Sequence, residues 1–387
     1  MPSGGAVTVL DARIVTGAGG GPEKTILNSP RFLEGTRYRN LALYLHAPGD
    51  PGIEVIRARA EAKRCPLITI ADPRAVDFRT LRRVAELCRE HDVRIWHGHD
   101  YKSNLFGVLL ARLCDLRLVT TVHGWVKHTE KTPLYFAVDR FAMRRYEEVI
   151  AVSQDLYDAS LAAGVAPERL SLIENAIDTD EFRRVRPPAA SPLRAGGAAA
   201  VSATPPGRLV IGAVGRLSEE KGFELLVRAV EDLVDEGLDL ELWIAGEGDR
   251  EASLREQTSR SRHAARIRVL GYRTDVRELF EAFDLFALSS LREGLPNVVL
   301  EAMAMEVPVV ATRCGGMEAF ARDGEDALLV EAGSVEALHR GLGRALRDPG
   351  LRARLAAAAR ARVERELGFA RRMERVAEVY DRLLAGG

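Results

Sequence analysis

Cysteine is scarce in this chain, four in 387 residues. Cys65, Cys88, Cys114 and Cys314 lack any C-x-x-C spacing, and each lies in or beside an apolar run. That pattern excludes a zinc ribbon or a disulfide scaffold and reads as reduced thiols in a cytosolic protein. No apolar run approaches the roughly 18 residues of a membrane span. The N-terminus Met-Pro-Ser-Gly-Gly also lacks the basic and apolar regions of a signal peptide, so the expected compartment is the cytoplasm. Charge of either sign is not in excess: 55 Lys plus Arg against 56 Asp plus Glu leave −1, and no electrostatic footprint for nucleic acid exists. What is present, 47% hydrophobic and 29% charged residues, is the composition of a soluble globular protein, and the length favours two domains.

Short runs rich in Val, Ile and Leu alternate with longer amphipathic segments, which predicts an α/β protein with parallel sheets covered by helices on both faces. Strands are expected at Val7 to Thr16, Leu41 to Leu45, Leu67 to Ile70, Val93 to His97, Arg117 to Val122 and Glu148 to Val152. The Pro-, Ala- and Gly-rich stretch after Val185, residues 186–207, has no usable hydrophobic period and reads as a linker or surface insert. The alternation restarts with Leu209 to Val214, Leu240 to Ala245, Ile267 to Leu270, Leu285 to Ser289 and Val307 to Thr312. Domains are thus expected at 1–185 and 208–365, with a final helix over 366–387 packing back toward the first domain. Two doubly wound domains facing across a cleft would present the carboxyl ends of both sets of strands to a ligand.

Three segments carry candidate chemistry. The run Thr16-Gly17-Ala-Gly19-Gly20-Gly21-Pro22-Glu23-Lys24-Thr25 follows the first strand. It is not a P-loop, because Glu23 stands where Gly must precede Lys-Thr, and Pro22 breaks a dinucleotide fingerprint begun at Gly17. A glycine turn suited to close backbone approach remains, or a plain strand-to-helix connection. In the second half, Gly212-Ala-Val-Gly215-Arg216-Leu-Ser-Glu-Glu-Lys221-Gly222 places two cations at a strand's carboxyl end. They would neutralise a diphosphate, or merely pair with Glu219 and Glu220. Finally, Glu293 and Glu301 in Ser290-Leu-Arg-Glu293-Gly-Leu-Pro-Asn-Val-Val-Leu-Glu301 bracket a helix start, with Pro296 suited to the first turn. One carboxylate then faces free helix amides and the other lies about a turn and a half inside, a site fit for a sugar attached to a diphosphate. The alternative is a glutamate favouring the helix dipole and another on a solvated face.

Taken in order, Gly215-Arg216-Leu with Lys221-Gly222, Ala245-Gly246-Glu247-Gly248, Gly271-Tyr272 and Glu293-Gly294-Leu-Pro296 through Glu301 resemble the retaining family-4 glycosyltransferases of the GT-B fold. The likeness extends into the first domain through Gly19 to Gly21, His123-Gly124, Val152-Ser153 and Glu174-Asn175-Ala-Ile-Asp178. The resemblance implies that Arg216 and Lys221 hold the donor diphosphate and that Glu301 binds the ribose. It implies that Glu293 contacts the transferred sugar and that His123 approaches the sugar ring. Gly215, Gly246, Gly271, Tyr272, Gly294, Leu295, Pro296, Asn297 and Val298 complete the implied donor side; Gly19, Gly20 and Gly21 would line the acceptor side. His99, Asp100 and Lys102, in Trp96-His97-Gly-His99-Asp100-Tyr101-Lys102, are further acceptor-side candidates. His97 and His99 share a strand face, but the family usually needs no metal, so none is expected there.

The chain departs from the family at Ala176, where Gly commonly follows Asn, and in the loop Gly315-Gly316-Met-Glu318, one residue shorter than common. The implied reaction is sugar transfer from a nucleoside-diphosphate sugar, UDP-linked in preference to GDP-linked, to a hydroxyl of a saccharide, lipid-linked glycan or small molecule. It needs no cofactor, and the departing phosphate helps remove the acceptor proton on the retained face. A lipid-linked acceptor would call for peripheral contact with the inner membrane face, where Arg82, Arg83, Arg144 and Arg145 could serve unless they form a solvated face beside Glu86 and Glu147. Competing readings are an epimerase or phosphorylase of the same architecture and a non-catalytic nucleotide-sugar binder. A Rossmann-type oxidoreductase fails on the missing fingerprints.

Overall fold

The computed structural model describes residues 6–17, 19–73, 77–124, 132–196, 201–293 and 296–386. The chain divides into two compact units: Met1–Asn175 with Phe369–Gly387, and Ala176–Gly368. The chain therefore leaves the first unit ten residues before the boundary expected from the proline-rich stretch and returns to it with the helix Phe369–Ala385.

The first unit holds a seven-stranded parallel sheet: β1 (Val7–Val15), β2 (Tyr38–His46), β3 (Leu67–Ala71), β4 (Val93–Gly98), β5 (Arg117–Val122), β6 (Glu148–Ala151) and β7 (Leu170–Leu172). Its order is β3-β2-β1-β4-β5-β6-β7. Alternate residues of β2 fall into different cores: Leu41, Leu43 and Leu45 pack with Trp96 and Phe106, while Ala42 and Tyr44 pack with Ile26 and Ile53. A strand apolar on both faces reads as a continuous hydrophobic run, the signal seen in the sequence.

The second unit repeats the design with six parallel strands: β8 (Leu209–Val214), β9 (Leu240–Ala245), β10 (Ile267–Val269), β11 (Leu285–Leu288), β12 (Val309–Arg313) and β13 (Leu328–Glu331). Their order, β10-β9-β8-β11-β12-β13, is that of a dinucleotide-binding sheet. Phe286, Leu288, Val309 and Ala311 enter one core, while Leu285, Ala287 and Val310 enter the other, so both faces are again covered. The edge strands β7 and β13 are three and four residues long, too short to stand out as hydrophobic runs.

Residues 186–196 and 201–207 do not behave as a free linker. Leu193 is buried in the second unit's core, and the buried Arg194 donates from Nε to the Ala282 carbonyl (2.8 Å) and pairs with Asp284. Arg184 donates to the carbonyls of Met305 (2.7 Å), Phe280 (3.2 Å) and Phe283 (3.2 Å), and Arg186 pairs with Glu281 (3.1 Å). Prolines erase the hydrophobic period here, while arginines satisfy carbonyls that the end of the helix Val276–Ala282 leaves open.

Candidate active site

In the second unit, β8 and β11 are neighbours from which the chain winds in opposite directions, the place where open α/β sheets gather ligand groups. The glycine motifs scattered over the sequence meet here because successive strand ends lie side by side. Gly215 N–H donates to Ala245 O (3.0 Å) and Gly246 N–H to Gly271 O (2.8 Å). Gly246 has φ +149°, and a Cβ there would lie 1.8 Å from the Gly215 carbonyl oxygen, so only glycine fits. Tyr272, next to Gly271, is 46% exposed.

The two cations follow β8. Lys221 forms an ion pair with Glu293, whose carboxylate also accepts from Ser290 Oγ (3.0 Å). This is a contact across 72 positions of sequence. It is braced by Leu291 N–H to Glu220 O (2.7 Å), Ser289 Oγ to Lys221 O (2.9 Å) and Gly316 N–H to Glu293 O (3.1 Å). Gly222, at φ +61°, allows the approach, since a Cβ would meet the Ser289 carbonyl oxygen at 2.4 Å. Arg216 is exposed and pairs with Glu220 (2.8 Å), the surface ion pair weighed as the alternative, whereas Lys221 turns to Glu293. The helix Asn297–Ala304 begins directly after Pro296, which sits at the cap with φ −76° rather than inside the first turn. Asn297 and Val298 occupy that turn, half-buried, and Glu301 is fully buried one turn on. Gly294 and Leu295 lie outside the described residues.

In the first unit the corresponding neighbours are β1 and β4. The glycine turn after β1 is closed from within. Glu23, only 1% exposed, accepts from the Gly20 N–H (2.5 Å) and pairs with Arg13 Nε (2.5 Å), so a carboxylate holds the amide that a phosphate would otherwise seek. Gly19 has φ +72°, and Gly21 opens the helix Gly21–Leu33. Asp100 and Lys102 are occupied by the fold. Asp100 caps the helix Tyr101–Leu110, accepting from Lys102 N–H (2.9 Å), Ser103 N–H (3.0 Å) and, from β1, Ile14 N–H (2.7 Å). The buried Lys102 ammonium pairs with Asp72 (2.5 Å). Of the arginines considered for a membrane face, Arg82 pairs with Glu86 (3.1 Å), Arg83 with Glu90 (3.2 Å), and Arg144 donates to the Ala163 carbonyl (2.7 Å). Arg145 lies over the Phe141 ring at 3.5 Å.

His97, His99 and His123, each singled out in the sequence, join Asp11, which was not, in one polar cluster. Asp11 stands in register with His97 on the neighbouring strand, and His99 and His123 extend the same two-residue alternation beyond β4 and β5. Asp11 accepts from Asn40 Nδ2 (2.7 Å) and lies 2.8 Å from His99 Nε2; His99 Nδ1 is 3.0 Å from His123 Nε2. His97 meets Thr121 Oγ1 (2.7 Å) and Tyr380 Oη (2.7 Å), the latter from the helix Phe369–Ala385, which also buries Arg372. Burial drives all three imidazoles toward their neutral forms, His97 down to about 3, and pushes the Asp11 carboxyl up. Asp11, His97 and His99 bring potential ligand atoms within 4.8 Å of one another. Their atoms already meet Thr121, Tyr380, His123 and Asn40, and a cation would have to displace those bonds. The available signal was an aspartate inside the apolar run Val7–Val15.

Comparison with known proteins places these features. The model for glycosyl transferases group 1 matches residues 208–348, and that for glycosyltransferase family 4 matches residues 19–181. A lipopolysaccharide core biosynthesis glycosyltransferase of Rhizobium meliloti is 37% identical over 153 residues, 40% of this chain and 44% of that protein, so this match spans under half of the relative. A lipopolysaccharide core biosynthesis mannosyltransferase of the same organism is 27% identical over 80% of this chain and 85% of its own. Among solved structures, Anabaena HepE in complex with UDP and glucose has a TM-score of 0.80 at 22% identity, over 96% of this chain and 99% of that one. A glycosyltransferase from Rickettsia africae has a TM-score of 0.78 at 18% identity, over 99% and 100%. With two Rossmann-like units of the GT-B fold and a family match to each, the chain belongs to the family-4, group 1 glycosyltransferases.

Proposed function

We propose that this glycosyltransferase is a retaining, metal-independent enzyme that moves a sugar from a UDP-sugar to a hydroxyl of a glycan acceptor. The observation that carries the reading is the assembly, at the β8–β11 switch of the second unit, of Arg216, the Lys221–Glu293 pair and the start of the helix Asn297–Ala304. Two cations and free helix amides suit a diphosphate, and two carboxylates suit hydroxyls of the ribose and the sugar. A diphosphate competing for Lys221 releases Glu293 to the sugar hydroxyls, so one ion pair serves as a ready exchange partner for both halves of the donor. Relatives whose names describe mannosyl and galactosyl transfer to lipopolysaccharide core or a lipid-linked sugar, and a fold neighbour in complex with UDP and glucose, support a nucleotide-sugar donor and a glycan acceptor.

In this mechanism the bond between the anomeric carbon and the diphosphate oxygen breaks with its electrons on the leaving group. Arg216, Lys221 and helix amides stabilise the charge that develops there. The acceptor oxygen bonds to the anomeric carbon on the same face, and its proton passes to the departing phosphate. Glu293 is therefore a binding group and not a nucleophile, while His123 contacts the transferred sugar. UDP release from UDP-sugars with a saccharide acceptor, in excess EDTA, tests the reading. Arg216→Ala and Lys221→Ala are each expected to slow turnover by about a hundredfold, the range for losing one charge-stabilising group. Rates near wild type in both variants, dependence on a divalent metal, or an inverted anomer in the product spectrum would overturn it.

A further inference from the structure

The proposed reaction leaves Asp11 and His99 without a task, although both are buried beside His123. Their hydrogen bonds have a definite direction. A carboxylate only accepts, so the 2.8 Å contact between Asp11 and His99 Nε2 places the hydrogen on that nitrogen. His99 Nδ1 is then a lone pair, and the 3.0 Å contact requires His123 Nε2 to donate to it. The remaining nitrogen of His123, Nδ1, is left as an acceptor.

We propose that Asp11 and His99 are positioning residues for His123: their hydrogen-bonded chain fixes its ring and its Nε2–H tautomer, so that His123 offers an Nδ1 lone pair to a hydroxyl of the transferred sugar. The proposal rests on the reading of His123 as a sugar-contacting residue. No proton leaves the chain; it sets which atom of His123 accepts, as an orienting carboxylate does when it selects a histidine tautomer. The surroundings agree. Asn40 Nδ2 donates to the other oxygen of Asp11 at 2.7 Å, and Arg372 is buried on the helix that covers the cluster, so the carboxylate is held as an acceptor. Arg13, paired with Glu23 and donating to the His99 carbonyl (3.1 Å), is the other cation beside the ring. Both cations oppose protonation of His99 and His123, and burial, the largest influence, acts the same way. His97 stacks on His99 with centroids 4.5 Å apart and brings Nδ1 to 3.3 Å from the same Asp11 oxygen, but its shorter bonds, both 2.7 Å, go to Thr121 and Tyr380.

The test is long-range ¹H–¹⁵N spectroscopy of the full-length protein labelled at histidine, which reads the tautomer of each of its eight histidines, with His123→Gln assigning the signal. His99 and His123 are expected as neutral Nε2–H tautomers. Asp11→Asn is expected to mix the His99 and His123 tautomers and lower kcat by about a hundredfold, the scale of a misplaced reacting group, with UDP affinity unchanged. His99→Phe, which keeps the ring's volume and removes both hydrogen bonds, is expected to act alike and covers the case in which Asp11→Asn fails to fold. Tyr380→Phe breaks only the His97 branch and is expected to leave the His123 tautomer intact. A His123 carrying its proton on Nδ1 in the unmodified protein, or tautomers and kcat unmoved in both variants, would overturn the proposal. Absence of sugar transfer by the unmodified protein would instead defeat the proposed function, because the tautomers are read without turnover.

Discussion

Gly246→Ala isolates how closely the strand ends of the second unit must approach to build the site. The added Cβ would lie 1.8 Å from the Gly215 carbonyl oxygen, a backbone atom that cannot rotate away, and φ is +149°. Holding a non-glycine residue in such a region costs about 1–3 kcal/mol. Forcing a methyl into a packed backbone costs about 1–3 kcal/mol more. Relief by moving Gly215 would break its 3.0 Å bond to Ala245, and relief by moving Gly246 would break its 2.8 Å bond to Gly271. A loss of about 2–6 kcal/mol is therefore expected in the second unit. Gly215→Ala is the internal control: its Cβ would meet Lys221 and Phe223 at 3.6 Å, ordinary contact, and a change within about 1 kcal/mol is expected. Hydrogen exchange through peptides covering β8 and β9, along a urea series, reads the second unit separately from the first. Equal effects for the two alanines, or a Gly246→Ala protein as stable as wild type, would refute the packing argument.

Arg194→Ala removes a buried guanidinium that holds the Ala282 carbonyl and Asp284, so a loss of about 2–4 kcal/mol is expected in chemical denaturation; a neutral effect would return residues 186–207 to the status of a linker. The first unit should weaken in mild acid. His97, His99 and His123 are held neutral by burial, His97 down to about 3, while unfolded imidazoles titrate near 6.5. Their folded values being depressed, the unfolded chain binds more protons below about pH 6.5; stability is complete above that pH and is lost as pH falls toward the folded values. Asp11, raised by burial, acts in the opposite sense and makes the slope shallower. Urea midpoints at pH 7.5 and 5.5 check this, and equal midpoints would contradict it. Glu23→Gln should loosen the glycine turn by weakening its links to Arg13 and Gly20, worth about 1–3 kcal/mol as charge-assisted bonds, with no change expected at the second unit's donor groups; an unchanged melting curve would sink that assignment.

The second unit's candidate site was legible as local motifs at strand ends. Lys221 and Glu293, read separately from their motifs, prove to be one ion pair, since β8 and β11 are neighbours although 70-odd residues apart in the chain. The first unit was less legible for the opposite reason. Asp100 and Lys102 looked free to line a pocket, yet one caps a helix and the other answers Asp72, a residue 30 positions away with no motif of its own. Asp11, Asn40, Tyr380 and Arg372 come from three distant segments, and no sequence period connects a strand in the first dozen residues with the last helix. Residues 186–196 and 201–207 read as a linker or surface insert because arginine-to-carbonyl bonds, which tie this stretch and its approach to the second unit, leave no hydrophobic pattern.

The proposed function stands or falls with a nucleoside-diphosphate site in the second unit. Calorimetric titration of the protein with UDP, GDP and ADP in EDTA, with Glu301→Gln alongside, tests it most directly. Metal-free binding that prefers UDP and is weakened in Glu301→Gln is expected. No binding of any of the three by folded protein, or binding indifferent to that substitution, would contradict it.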